Sequence, residues 1–312
     1  MKIIKSTSKI NIKGYSIATI GYFDGIHLGH KKIITELVTQ AKLKKGKSIL
    51  ITFWPHPKTV LDKNSNIEFL LCKNDKMDYL EKEGIDFIYL IEFTKEFSKI
   101  KAESFIQQYL IKKLNINKLI IGFNHSFGHN REGNFHYLEN NKEKFDFKIQ
   151  EIKKKEINKN FEISSSSIRK EILTGNLKKA NIMLGYDFFI TGNVIRGDGI
   201  GKKIGYPTAN LSLINDGKII PGNGVYVCKI LLNKKYFGGM LNIGIRPTVD
   251  GKERRVEIHI FGINFNLYEK TLKIILIDKI RDESKFNSLE ELKTQLIKDE
   301  ISSIKILNNE KV

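Results

Sequence analysis

Gly21-Tyr22-Phe23-Asp24-Gly25-Ile26-His27-Leu28-Gly29-His30 closes an apolar run, Ile17 to Gly21, and leads into Ile33, Ile34, Leu37, Val38 and Ala41. The second set has the spacing of one face of an amphipathic helix. The quoted stretch is therefore a strand-to-helix turn. In an open α/β sheet, ligands bind in the crevice beyond the strand carboxyl ends, where a helix N-terminus offers backbone N–H groups to an anion. Outward from this turn, apolar runs at Ser48 to Phe53, Asp86 to Ile91, Lys118 to Gly122 and Phe147 to Ile152 alternate with helical stretches. That rhythm predicts a parallel sheet with crossover helices.

After Leu184 the pattern changes to short β-rich runs broken by Gly, Asn and Asp: Phe188 to Ile195, Gly224 to Leu232, Phe237 to Ile243, Val256 to Phe261 and Leu272 to Ile280. Such runs predict an antiparallel barrel or sandwich. A final helix is expected from the capping box Ser288 and Glu291, with Leu289, Leu292, Leu296 and Ile297 on its apolar face. The change of rhythm puts a domain boundary between residues 1–185 and 186–312.

The net charge of +18, from 53 Lys and Arg against 35 Asp and Glu, suits either a nucleic-acid binder or a protein of polyanionic small substrates. The lysines are spread through almost every segment instead of forming a patch, so no nucleic-acid partner is expected. No run approaches the roughly 20 apolar residues of a membrane helix, and Met1 to Ser6 lacks the apolar core of a signal peptide. A cytoplasmic protein without a membrane partner is the expectation. Cys72 and Cys228 are far apart and read as core thiols, neither a disulfide framework nor a metal site.

Two imidazoles three residues apart around Gly29 can donate hydrogen bonds to triphosphate oxygens, whose charge grows in a phosphoryl-transfer transition state. The H-x-G-H arrangement of His27 and His30 resembles the nucleotidylyltransferase superfamily. Further stretches follow in order: Thr52-Phe53-Trp54-Pro55-His56-Pro57, Gly122-Phe123-Asn124-His125-Ser126-Phe127-Gly128, and Ile163-Ser164-Ser165-Ser166-Ser167-Ile168-Arg169. The serines open a helical pattern, so their hydroxyl and N–H groups cap a helix whose positive end suits an anion. Together these stretches resemble the prokaryotic bifunctional riboflavin kinase/FAD synthetase family. The resemblance implies a Rossmann-like nucleotidylyltransferase domain. It also implies ATP contacts from Gly21, Phe23, Asp24, Gly29, Ser165, Ser166 and Arg169, and flavin contacts from Pro55, His56, Pro57, Asn124 and Phe127. Many members carry Asp at the Asn124 position and Arg at the Ser126 position.

In the second half, Gly192, Gly197, Gly199, Gly201 and Gly205 crowd one stretch beside Arg196, Lys202 and Lys203, a loop able to wrap phosphates with backbone N–H groups. Thr208 and Asn210 offer a hydroxyl and a carbonyl oxygen two residues apart, the ligand type Mg²⁺ accepts next to nucleotide phosphates. This block resembles the riboflavin kinase module, which implies an antiparallel barrel with a terminal helix and a flavin contact from Arg281. Glu257 is the candidate general base. Strand alternation sets Glu257, His259 and Phe261 on the face opposite Val256, Ile258 and Ile260. Gly262 stands where Asp is usual and Glu269 where Gly is usual. Over residues 10–305 the resemblance implies two ATP-dependent reactions: riboflavin to FMN with release of ADP, and FMN to FAD with release of pyrophosphate. The expected partners are small molecules and the expected state is a monomer or weak homo-oligomer. The alternatives are one surviving activity, or a basic RNA-binding protein.

Overall fold

A strand apolar at nearly every position needs cover on both faces. The computed structural model meets that demand in its first half. It describes the chain apart from residues 9–11, 63–64, 66, 124, 153–155, 159–160, 197–199, 215–216, 249–250, 264–266 and 310–312, and apart from the side chains of 156–158, 161–162, 200, 203, 246–248 and 251–253. By packing, the chain divides into Met1–Ser165 and Ser166–Val312.

The first unit contains β1 (Lys2–Lys5), β2 (Ser16–Ile20), β3 (Lys47–Trp54), β4 (Phe87–Glu92), β5 (Lys118–Gly122) and β6 (Lys148–Ile152). They form one parallel sheet in the order β1-β4-β3-β2-β5-β6. Neighbours in sequence go to opposite faces: Ile17 and Ile120 join one core cluster, Ala18 and Ile121 another. Each such fully buried Ile contributes roughly 1.5–3 kcal/mol. The helices are α1 (Leu28–Leu43), α2 (Pro57–Leu61), α3 (Lys73–Lys82), α4 (Ala102–Phe105), which runs on into the wider-wound Ile106–Lys113, and α5 (Phe135–Asn140). From β2 the chain builds outward through β3 and β4, then returns to pair β5 on the other side of β2. The order reverses there. The crevice beyond the carboxyl ends of β2 and β5 is thus the switch point where ligands bind in sheets of this kind.

A ribbon of β7 (Glu156–Asn158) and β8 (Phe161–Glu162) precedes α6 (Ser165–Leu173) and α7 (Leu177–Leu184). The expected boundary at 185/186 follows the change of rhythm, whereas packing assigns residues 166–185 to the second unit. Asn181 explains part of that: its side chain donates to the Leu276 carbonyl at 3.1 Å and accepts from the Phe188 N–H at 2.8 Å.

The second unit is a closed antiparallel barrel of β9 (Phe189–Ile195), β10 (Ala209–Leu213), β11 (Gly224–Leu232), β12 (Lys235–Thr248), β13 (Gly251–Ile260) and β14 (Thr271–Arg281), in the order β10-β13-β12-β11-β14-β9. A short helix, α8 (Ile200–Lys203), lies between β9 and β10, and α9 (Leu289–Asn309) closes the chain. The capping box forms, with Ser288 Oγ accepting from the Glu291 N–H at 3.1 Å. The apolar face differs in part from the expected one. Of the four expected residues, Leu292 and Leu296 face the barrel cavity, with Leu296 packed on Tyr206, Val225 and Met240, while Leu289 and Ile297 are exposed at 52% and 43%; the buried stripe continues through Asp299, Ser303 and Leu307, the last packed on Val227 and Ile277. Gly262 (φ 70°) and Glu269 (φ 65°) both adopt left-handed backbone, so the two departures from the family pattern fall in turns.

Candidate active sites

The turn after β2 is held in an unusual backbone shape. Phe23 is left-handed at φ 55°, a conformation that only a rigid surround preserves in a residue other than glycine. That surround is visible. The Asp24 carboxylate is 5% exposed and accepts from the Leu70 N–H at 3.0 Å and the Leu71 N–H at 3.4 Å. Its carbonyl accepts from Ser165 Oγ at 3.0 Å, which brings this expected ATP contact onto the turn. Asp24 therefore fixes the shape of the turn with its side chain. Phe23 packs its ring back over Gly21, where a Cβ would lie 3.0 Å from it.

His27 caps α1. Its Nδ1 accepts from the His30 N–H at 3.3 Å, so in the neutral ring the proton sits on Nε2. The His27 and His30 rings stack at 3.7 Å, and Gly29 lies close beside them: a Cβ there would sit 3.1 Å from the His27 ring. Burial pushes His30 well below the usual imidazole value, and the charges of His27, Lys76 and His125 add to that push. His30 Nδ1 is a buried polar atom without a hydrogen-bond partner among the described residues.

At the end of β3, His56 repeats the capping pattern, its Nδ1 accepting from the Lys58 N–H at 3.0 Å. Its ring stands edge-on to Tyr22 at 4.1 Å, so the Pro55-His56-Pro57 segment meets the turn directly. Beyond β5, His125 is pushed down to about 4 by burial, with Arg131 adding to it. His125, Ser126 and Arg131 line an open cavity of about 640 Å³, and Arg131 Nε donates to Ser126 Oγ at 2.7 Å. Phe127 is not on that surface. It is 6% exposed, packs on Phe105 at 5.5 Å and pairs its backbone with Gly133, so its ring belongs to the core cluster of the sheet. Asn124, Gly197 and Gly199 lie outside the described residues. Ser166 and Arg169 stand on α6, in the second packing unit.

In the barrel, Gly201, Thr208, Asn210, Glu257 and Arg281 line one cavity of about 290 Å³. Register makes the cluster: Asn210 of β10 and Asn242 of β12 both stand opposite Glu257 of β13. Gly201 permits a close crossing, because a Cβ there would run into the Tyr206 carbonyl. Gly205 is left-handed at φ 86°, and Gly192 is buried on β9. The Arg281 guanidinium is gripped by Asp299 of α9, with Nε at 3.0 Å and Nη2 at 2.8 Å from its carboxylate, while its plane approaches Phe286 at 5.6 Å.

The FAD synthetase family matches residues 9–167, and the riboflavin kinase family matches residues 184–307. A protein named bifunctional riboflavin kinase/FMN adenylyltransferase from Buchnera aphidicola subsp. Schizaphis graminum is 41% identical over 305 residues, covering 96% of each chain. One of the same name from Escherichia coli (strain K12) is 33% identical over 288 residues, covering 92% of this chain and 91% of its own. The chain belongs to the bifunctional riboflavin kinase/FMN adenylyltransferase family. A crystal structure titled as a macrolide-efflux protein from Streptococcus pneumoniae superposes with a TM-score of 0.89 at 32% identity, covering 97% of this chain and 99% of that one. Efflux is said of that protein alone. Here, among the described residues, no helix is long and apolar enough to cross a membrane.

Sequence reasoning for this family member missed several cavity residues. His259 Nδ1 lies 2.8 Å from the Pro207 carbonyl, and Tyr206 donates its hydroxyl to Glu300 at 2.7 Å. Asn242, Glu283 and Phe286 also line the cavity. For His259 a signal existed, since it shares the strand face of Glu257. Asp299 and Glu300 had none, because their partners, Arg281 at the end of β14 and Tyr206 in the loop before β10, are not their neighbours in the chain.

Proposed function

We propose that the chain makes FMN from riboflavin and then FAD from FMN, consuming ATP at both steps. Residues 186–312 carry the first reaction in the barrel cavity, and residues 1–185 carry the second at the Gly21–His30 turn. The observation that supports this most is the meeting of Thr208 and Asn210 with Glu257 and Arg281 in one cavity, since the last two lie far from the first two in sequence.

A primary alcohol is a poor nucleophile at neutral pH. Glu257 accepts the proton of the ribityl 5′-OH as that oxygen attacks the γ-phosphorus, and ADP leaves. The Thr208 hydroxyl and the Asn210 side-chain oxygen fit a hard, oxygen-seeking cation, and these two residues would hold Mg²⁺ next to the phosphates, where it would neutralise charge on the phosphate oxygens.

At the turn, an oxygen of the FMN phosphate attacks the α-phosphorus of ATP and pyrophosphate leaves. No covalent enzyme intermediate is needed. His27 and His30 donate hydrogen bonds to triphosphate oxygens where charge grows, and Gly29 lets the phosphates approach the backbone. Pro55, His56 and Pro57 form part of the flavin side. The protein acts on these small molecules in the cytoplasm, as a monomer or weak homo-oligomer, with no nucleic-acid partner.

The test is to incubate purified protein with riboflavin, ATP and Mg²⁺ and to separate the flavins. Both FMN and FAD are expected. FMN without FAD would leave only the kinase standing, and salt-sensitive RNA binding with no flavin product would replace the reading altogether.

A further inference from the structure

Lys76 is 3% exposed, a rare burial for a lysine, and shares the buried face of helix α3 with Leu80. Its ammonium donates to the Tyr22 carbonyl and to Thr52 Oγ1, the latter at 3.1 Å, and stands 4.1 Å over the Tyr22 ring. Thr52 Oγ1 also reaches the Tyr22 carbonyl, at 3.4 Å. The end of β3, the end of β2 and helix α3 thus meet on one cation. The same segment grips the turn a second time, because Leu70 and Leu71, just before α3, hold the Asp24 carboxylate. Between the two grips lies Phe23, whose left-handed backbone needs such restraint.

We propose that Lys76 is a positioning residue for adenylyl transfer: by tying Tyr22 to Thr52 it holds the Phe23–Asp24 turn, and with it His27 and His30, in the shape that grips the triphosphate. This rests on the assignment of adenylyl transfer to the Gly21–His30 turn. Tyr22 also passes the restraint to the flavin side, since its ring meets His56 at 4.1 Å.

The charge on Lys76 belongs to the same device. Burial pushes it down to about 7, against the pull of Asp24. The charged and titratable groups that face it are Asp24 and Tyr22 from the turn and His30 from α1. Lys76 is charged below that value and neutral above it, and an arriving triphosphate favours the charged form. In the free enzyme, kcat/KM for adenylyl transfer therefore falls as pH rises through about 7.

The test follows FAD formation from supplied FMN across pH 6–9, with FMN formation from riboflavin in the same preparation as an internal control. Lys76→Met should lower kcat/KM for ATP roughly 10- to 100-fold, the penalty of a misplacement near 1 Å, and should erase the limb near neutrality. Thr52→Val keeps the shape but removes one partner of the ammonium, and should move the limb to lower pH. A folded Lys76→Met with wild-type kcat/KM and an unchanged limb overturns the proposal. Should that variant not fold, Thr52→Val decides: a displaced limb supports the role and an unmoved one overturns it. His30→Ala separates the two claims. If it still makes FAD at the wild-type rate, the underlying site assignment falls; if it does not while Lys76→Met keeps the wild-type kcat/KM and limb, only the role of Lys76 falls.

Discussion

At the turn of the parallel sheet, polar groups arrive through main-chain geometry: His27 and His56 each cap a helix through Nδ1, at 3.3 and 3.0 Å, and Asp24 binds backbone N–H groups. In the barrel they arrive through strand register, which sets Asn210 and Asn242 opposite Glu257. The first design fixes the His27 and His56 tautomers over a few neighbouring residues, and the loop shape through one further segment, Leu70 to Lys76. The second depends on pairing between strands that lie tens of residues apart. A substitution at the turn should therefore act locally, whereas the barrel site should answer to whatever holds the strands and α9 together.

The sharpest way to break this comparison is to remove one reacting group from each centre. Glu257→Gln should slow FMN formation by roughly 10²- to 10⁴-fold and leave FAD formation from supplied FMN intact. His30→Ala should do the reverse, lowering FAD formation by roughly 10²- to 10³-fold, the usual effect of losing one donor to a developing oxyanion. Separate assays of the two products check both. If either variant lost both activities equally while folded, the centres would not be independent.

Second in size is the tether of α9. The Arg281–Asp299 pair joins a 20%-exposed side chain to a 1%-exposed one, and Gln295 adds a bond to the same carboxylate at 2.8 Å. Asp299→Ala strands a guanidinium at the cavity wall and should destabilise the second unit by about 3 kcal/mol. Trp54, the single tryptophan, lies in the first unit, so its fluorescence reports that unit while circular dichroism follows both. The expected result is a dichroism transition that moves to lower urea with the Trp54 transition in place.

The contrast also explains what the sequence made legible. The turn could be read because Gly21–His30 is contiguous, and β5 and β11 have the bounds their apolar runs predict. The edge strand β1 was missed because its two isoleucines sit between lysines, with no alternation to mark it. Strand β10 was hidden in the stretch read as metal ligands, and only pairing with β9 and β13 reveals it. Phe127 has an aromatic side chain beside a strand end, which suits a ligand wall or a core equally well. Packing on Phe105 gives it to the core. The tyrosine–glutamate and arginine–aspartate pairs that close the barrel cavity leave no local trace, because each joins positions far apart in the chain.

The smallest expected effect sharpens the comparison from the side of register. β11 and β12 are joined by the two residues Asn233 and Lys234, with Leu232 paired to Lys235 and both turn residues left-handed at φ 48° and 63°. This is the backbone of a type I′ hairpin, for which Asn-Gly is the favoured pair, and a lysine in the second place carries strain that glycine does not. Lys234→Gly should stabilise the second unit by about 0.5–1 kcal/mol, the strain relieved exceeding the extra freedom glycine gives the unfolded chain. The dichroism transition should move to slightly higher urea, the Trp54 transition should stay where it is, and both product rates should match wild type. A rise in stability with a fall in FMN formation would mean that the β11–β12 register at Asn242 is tuned for motion and not merely for alignment with Glu257.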